Sequence, residues 1–246
     1  EAGILVFRIL PLDDTHLMIT SVNGAYTFNT MTKEFKLFKD YSTNTNKLKN
    51  VRTNIYRNSE GIYWMGSDED GIFRYDPANN SKTNYRHDPL NPEHSLSNNQ
   101  VLDLLQDRSG NVWAATINGL SILQFKGSEL IGTQNFFNDP VNYNSISGNY
   151  LSNIYQSRGG EIWISAHDAL NQFDQNNNKF LHLKSSSDKS KSLNHNGVLP
   201  IIVSKKNPGI IWIGTRDGLS KFDEQSGMFV HFKQSPDNPT KSISGN

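Results

Sequence analysis

Short apolar runs alternate with turns marked by glycine and acid along this chain, and the alternation recurs at a fixed period. Each unit opens with a run that is apolar at three-residue spacings: Val51 to Tyr56, Val101 to Leu105, Leu151 to Tyr155 and Val198 to Val203. A turn on Gly61, Gly110, Gly160 or Gly209 follows, and then a second run carrying Trp64, Trp113, Trp163 or Trp212, at spacings of 49, 50 and 49 residues. The next turns are Asp70-Gly71, Asn118-Gly119, Asp168-Ala169 and Asp217-Gly218. Asp-Gly and Asn-Gly between apolar runs predict hairpins in which both turn residues take positive φ, with Ala169 calling for strain or another turn type. A third run (Ile72 to Asp76 and its copies) leads to a fourth with paired aromatics, as in Phe35/Phe38, Phe180/Leu183 and Phe229/Phe232. One supersecondary unit of four strands, repeated, is the reading that a period near 50 supports.

The second run fixes the architecture. One face holds the tryptophans, each followed two positions on by a small residue: Gly66, Ala115, Ser165 or Gly214. The other holds Tyr63/Met65, Val112/Ala114, Ile162/Ile164 and Ile211/Ile213. A sheet wet on one side would alternate apolar with polar; this one is apolar on both, as expected of sheets stacked on one another. The predicted fold is all-β, a β-propeller of four-stranded antiparallel blades with Trp64, Trp113, Trp163 and Trp212 in its core. The repeats fall at 1–47, 48–95, 96–145, 146–192 and 193–241. The first is degenerate, with Leu17 at the tryptophan position and Ile4 to Leu10 as its innermost strand. Residues 242–246 copy the lead-in Asn144 to Asn149 and open a further unit, so about five blades of a seven- or eight-bladed parent are expected.

Composition narrows the function. The 246 residues carry no net charge and no cysteine. A neutral chain gives no electrostatic reason to expect nucleic acid or an anionic membrane as partner. No thiol means no disulfide or thiolate chemistry, which fits an oxidising compartment. No apolar stretch is long enough to span a bilayer, and no signal peptide is present, so no membrane contact is expected from this segment itself. The seven histidines are scattered, which predicts no metal site, and no cofactor motif occurs. His182 and His231 hold equivalent places beside fourth-strand aromatics and read as structural. Asp76, Asp174 and Asp223, which end third strands, read as turn starters.

The repeated words D-x-x-G-x-[IVL]-W-[IV]-G-T-x-x-G-L-x-x-[FY]-[DN] resemble the two-component regulator propeller repeat, best at Asp107 to Leu123 and Ile211 to Asp223. The connector Asp88 to Asn99 resembles that family's D-P-x-N-P-x-S-L-S-N-N, and Asp139 to Ser147 is a looser copy. Departures are Ala169, Ala115 and Ser165 in place of glycine, and the first unit. The resemblance implies an extracytoplasmic, periplasmic sensor region of a hybrid membrane histidine kinase from glycan-degrading gut bacteria. It further implies an oligosaccharide ligand, a homodimer formed through the full ectodomain, and signal passage across the membrane.

The chain direction puts the second hairpin turns and the long connectors on one face, opposite the glycine turns. That face carries Glu69, Asn118, His167 and Arg216 from the turns, and His87, His94, Tyr143, Tyr150 and His195 from the connectors. A sugar site needs an aromatic for C–H faces and planar polar groups for hydroxyls, and an anionic sugar adds a guanidinium. The candidate ligand-binding residues are therefore His87, Tyr143, Tyr150, His167, His195 and Arg216, with no catalytic residue assigned. Two enzyme alternatives stand. Asp107 to Trp113 resembles the Asp-box of sialidase-type propellers, although Arg57, Arg108 and Arg158 lie in turns of the opposite face. A streptogramin-lyase-like propeller would need a metal-assisted His/Glu cluster. A dimerisation scaffold without ligand is the third reading.

Overall fold

The computed structural model describes residues 6–21, 24–37, 55–79, 81–204 and 206–235. Apart from a short 3₁₀ turn at Pro92–His94, every regular element there is a strand. Phe38, residues 51–54 of the second unit's opening run, Ile4, and the terminal residues 242–246 lie outside the described residues. The strands form five four-stranded antiparallel sheets, each with its strands in chain order, the blades of a β-propeller. Blade 1 is β1 (Val6–Pro11), β2 (His16–Ser21), β3 (Gly24–Asn29) and β4 (Phe35–Leu37). Blade 2 is β5 (Ile55–Arg57), β6 (Tyr63–Gly66), β7 (Ile72–Asp76) and β8 (Ser81–Tyr85). Blade 3 is β9 (Val101–Gln106), β10 (Val112–Thr116), β11 (Gly119–Lys126) and β12 (Glu129–Phe136). Blade 4 is β13 (Leu151–Gln156), β14 (Ile162–Ala166), β15 (Ala169–Asp174) and β16 (Lys179–Leu183). Blade 5 is β17 (Val198–Val203), β18 (Ile210–Thr215), β19 (Gly218–Asp223) and β20 (Met228–Phe232).

The chain divides into two compact units, the first holding blades 1 and 2 and most of blade 3, the second holding blades 4 and 5. In the first, Trp64 is buried against Val101, Leu104, Val112 and Leu123 of blade 3. In the second, Trp163 is buried against Ile201, Ile211, Ile213 and Phe222 of blade 5. Each indole is thus sealed by the blade that follows it. Trp64, Trp113 and Trp163 are 2–3 % exposed. Trp212 departs from the expected core: it is half-buried, its ring beside Phe232 at 5.6 Å. Blade 5 is the last described blade, and no described blade follows to cover its face.

Register corrects the reading of the first unit. Ser21 pairs Gly24 as Thr215 pairs Gly218, which places Met18, not Leu17, at the tryptophan position. Met18 is buried against Ile55, Tyr63 and Met65 of blade 2, as the tryptophans are buried by theirs. A slip of one residue exchanges the two faces of a strand, so the distinction decides what is core.

The second hairpin turns also differ from expectation. Gly71, Gly119 and Gly218 take φ of 76°, 104° and 102°, but Asp70, Asn118 and Asp217 do not share positive φ. The cause is the hydroxyl that opens the turn. Thr215 Oγ1 accepts the Asp217 N–H and donates to the Gly218 carbonyl, and Ser67 Oγ does the same for Asp70 and Gly71. These bonds draw the acid into an ordinary right-handed bend and leave only the glycine left-handed. At Gly71 a Cβ would lie 2.1 Å from the Tyr85 carbonyl oxygen. Ala169 avoids positive φ, so its turn is of another type.

The connectors dock on the blade they precede. Leu96, Ile146 and Leu193 are buried, and the polar residue after each enters the space between the second and third strands. Ser97 donates its N–H to Ser121 Oγ and shares a hydroxyl contact with Thr116; Ser147 donates to Asn171 Oδ1; Asn194 Oδ1 accepts from Thr215 and Ser220. The two equivalent histidines serve the same docking: His182 Nε2 lies 2.7 Å from the Ser145 carbonyl and His231 Nε2 2.7 Å from that of Lys189. Asp76, Asp174 and Asp223 each accept a backbone N–H two residues on, as turn starters do.

Candidate functional site

Backbone bonds tie the connector ends to the second hairpin turns, so both lie on one side of each blade. Gly71 N–H donates to Asn99 O in the first unit; Arg216 N–H donates to Gly197 O, and His167 N–H to Tyr150 O, in the second. The side chains that follow from this placement gather on blades 4 and 5.

Arg216 leaves the β18–β19 turn and donates from Nη2 to His167 Nε2, which sits in the β14–β15 turn. An arginine cannot accept, so His167 Nε2 holds its lone pair and the ring proton is on Nδ1, which faces Asp168 Oδ1 at 3.4 Å. His195 Nδ1 accepts the Gly197 N–H at 2.8 Å, leaving its Nε2 the protonated nitrogen. Gly197 is required here for space. A Cβ would lie 2.9 Å from Arg216 Cδ and 3.1 Å from His195 Nδ1, so glycine lets the Arg216 stem and the imidazole close over the backbone. Asp217 pairs with Lys233, which keeps that carboxylate from competing for Arg216. Tyr150, at the head of β13, is half-exposed and linked to His167 through the backbone.

Of the six residues singled out from the sequence, the structure gathers Tyr150, His167, His195 and Arg216. Tyr143 is 87 % exposed and lies apart, on the stretch of connector whose next residue, Asn144, accepts the Phe180 N–H of the outermost strand. His87 lies in the first unit, held by its N–H to Asn99 Oδ1 and by Nδ1 at 2.6 Å from Leu96 O, a connector brace. Sequence reasoning missed Asp168 and Gly197, which orient His167 and Arg216. Gly197 was legible in principle as a lone glycine directly before an inner strand.

The cluster offers one guanidinium, two imidazoles of fixed tautomer and a phenol on an open surface. That set can accept and donate hydrogen bonds to hydroxyls and pair with an anionic group. Asp107 accepts the Ser109 N–H, so the Asp-box-like stretch makes a turn. Among the described residues no three His, Cys, Asp or Glu side chains stand close enough to share a metal ion.

Residues 95–118 match the family described as Two component regulator propeller. They comprise the docked Ser95-Leu96-Ser97, β9, and the Trp113 strand with its turn. No curated protein shows a significant match. Among solved structures, the chain is similar to the extracellular domain ascribed to a hybrid two component system of B. thetaiotaomicron. That likeness has a TM-score of 0.72 at 16 % identity over 98 % of this chain and 29 % of the other. It is also similar to virginiamycin B lyase from Staphylococcus aureus (0.63, 14 % identity, 95 % of this chain and 72 % of that one). PorZ of the type-IX secretion system of Porphyromonas gingivalis gives 0.63 at 14 % identity, over 96 % of this chain and 34 % of its own. These likenesses concern the fold. The chain spans less than a third of the B. thetaiotaomicron domain.

Proposed function

We propose that this chain is part of the periplasmic sensor region of a hybrid two-component system, and that the Tyr150–His167–His195–Arg216 face of blades 4 and 5 receives an acidic oligosaccharide. The observation that carries the reading is the guanidinium of Arg216, which donates to His167 from a side chain whose stem packs over Gly197, with the neighbouring carboxylate, Asp217, already paired to Lys233. The matched repeat at 95–118 and the likeness to an extracellular two-component domain support the sensor class. In this reading the segment itself does no chemistry, and kinase activity belongs to cytoplasmic modules of a longer protein. The signal passes as a population shift between two arrangements of a homodimer formed by the full ectodomain.

Titration calorimetry of the intact ectodomain against uronate-containing and neutral oligosaccharides tests it. Binding of the acidic set, weakened about tenfold or more by Arg216→Gln, is the expected result. Binding that Arg216→Gln leaves unchanged would remove this face from the reading, and silence across both panels would remove the oligosaccharide.

A further inference from the structure

On the opposite side of the second unit, between the glycine turns and third-strand ends of blades 4 and 5, lies a cleft of about 470 Å³. Trp163 and Phe222 meet edge to face at 5.6 Å at its floor. Glu161, Glu224, Gln172 and Arg158 line it. The Trp163 indole N–H donates to Glu224 Oε1 at 2.8 Å, which holds that carboxylate in place. The Glu161 carboxylate folds back onto Ser157 Oγ and over Gly159, where a Cβ would lie 2.4 Å from Glu161 Oε2.

The repeat supplies its own reference for this cleft. Two residues before the tryptophan, blade 2 has Ile62 where blade 4 has Glu161. Six residues after the glycine that opens the third strand, blade 3 has Phe125 where blade 5 has Glu224. Opposite the tryptophan on the third strand, blade 2 has Arg74 and blade 4 has Gln172. In the blade 2–blade 3 gap, Ile62 is buried in the core and Phe125 stands edge-on to Trp64 at 5.4 Å. The Arg74 guanidinium lies over the Trp64 ring at 5.9 Å. The Trp64 indole N–H has no acceptor among the described residues. That gap is plugged by two apolar side chains and carries its own cation. The blade 4–blade 5 gap exchanges both plugs for carboxylates and has Gln172 at the Arg74 position, and a cleft opens in their place. Burial, and after it the negative charges of Glu161 and Asp223, favour the protonated form of Glu224, and the Trp163 N–H opposes them. Arg158 lines the cleft, and the Arg108 guanidinium, which donates to the Ser157 and Arg158 carbonyls, is the positive charge acting on Glu161.

We propose that this cleft is a binding site for a small molecule bearing a primary ammonium group, seated between Glu161 and Glu224 above the Trp163–Phe222 pair where the equivalent gap carries Arg74. The site is independent of the connector face and stands whether or not that face binds sugar. An ammonium of three donors matches a pair of carboxylates, and the ring faces favour a cation further.

Calorimetry on the whole chain with four probes tests it: glucosamine, putrescine, N-acetylglucosamine and glucose. Glucosamine and putrescine are the two amine sources, and acetylation or loss of the amine removes the charge. Binding of one or both amines, with the two neutral sugars silent, is the expected result. Glu224→Gln keeps the Trp163 acceptor and should weaken amine binding about tenfold or more. Glu224→Phe restores the plug and should abolish it with no loss of melting temperature. Arg216→Gln, on the other face, should change nothing here. Absence of binding by both amines, equal binding of the neutral sugars, or amine binding unaltered in both Glu224 variants would overturn the proposal.

Discussion

The docking triads make a sharp energetic prediction. Blade 3 uses Ser97, Thr116 and Ser121; blade 5 uses Asn194, Thr215 and Ser220; blade 4 uses Ser147, Ala166 and Asn171. Blade 4 lacks the middle hydroxyl, and the longer Asn171 reaches across for it. Its Nδ2 donates to Ser147 Oγ at 3.0 Å and to Ile164 O at 3.3 Å, and its Oδ1 accepts the buried Ser147 N–H at 2.9 Å. Asn171→Ser forfeits the bond to Ile164 O and a further one to Ala169 O at 3.5 Å, and at most recovers those to Ser147, as Ser121 makes them to Ser97. At about 1 kcal/mol net per bond the cost is about 2 kcal/mol, and more if the Ser147 N–H is left unpaired. Ala166→Thr alone overpacks a fully buried position and should cost about 1–3 kcal/mol. Together the two substitutions rebuild the blade 3 triad, so the double variant should lose clearly less than the sum, with a coupling of about 1–2 kcal/mol. Amide exchange at Ser147 reads the bond directly, and urea unfolding followed by tryptophan emission reads the global cost. Strictly additive losses would refute the role given to Asn171.

Two further outcomes follow from burial and charge. Trp163→Ala removes an indole sealed by blade 5 and should cost about 3–5 kcal/mol, whereas Trp212→Ala, at a half-exposed ring, should cost less than half as much in the same melts. Burial, Glu161 and Asp223 raise the Glu224 pKa above its ordinary 4.5, and the Trp163 N–H only partly offsets them. The folded state therefore favours the protonated acid: this contribution is full below pH 4.5 and is lost as pH rises through the raised folded value. Glu224→Gln should melt above the parent chain at neutral pH, with the difference shrinking toward pH 4.5; a difference that grows on acidification would contradict it.

Much of the fold was legible because the tryptophan strand is apolar on both faces, a pattern that stacking on a following sheet explains and a half-wet sheet does not. The errors share one origin, that identity at one position was read without its partner strand. Leu17 fits the spacing as well as Met18, and only the Ser21–Gly24 pairing decides between them. Asp-Gly suggests a turn with two left-handed residues, yet the hydroxyl of Ser67 or Thr215 just upstream redirects the bend. Trp212 carries the full motif, but burial depends on a neighbouring sheet, which no local word encodes. On the connector face, turn and connector residues could be assigned to one side by chain direction alone. Whether they meet depends on distance from the innermost strand, which separates Tyr143 from Tyr150 despite only six residues between them.

The opposite cleft shows what a repeat offers beyond its signature. Glycines and tryptophans recur because every blade needs the same turns and the same seal, so they report on folding. Function has to be sought where equivalent positions stop agreeing. Ile62 becoming Glu161 and Phe125 becoming Glu224 exchange apolar contact for carboxylates that burial penalises. Each exchange alone is an unremarked surface choice. Both fall in one gap, together with the loss of the Arg74 cation at Gln172, and the Trp163 N–H fixes one of the new carboxylates in the opening. The blade 2–blade 3 gap keeps apolar side chains at both positions. The substitution that restores one of them, Glu224→Phe, should therefore hold or raise stability while closing the cleft, which separates what this position does for binding from what it does for the fold.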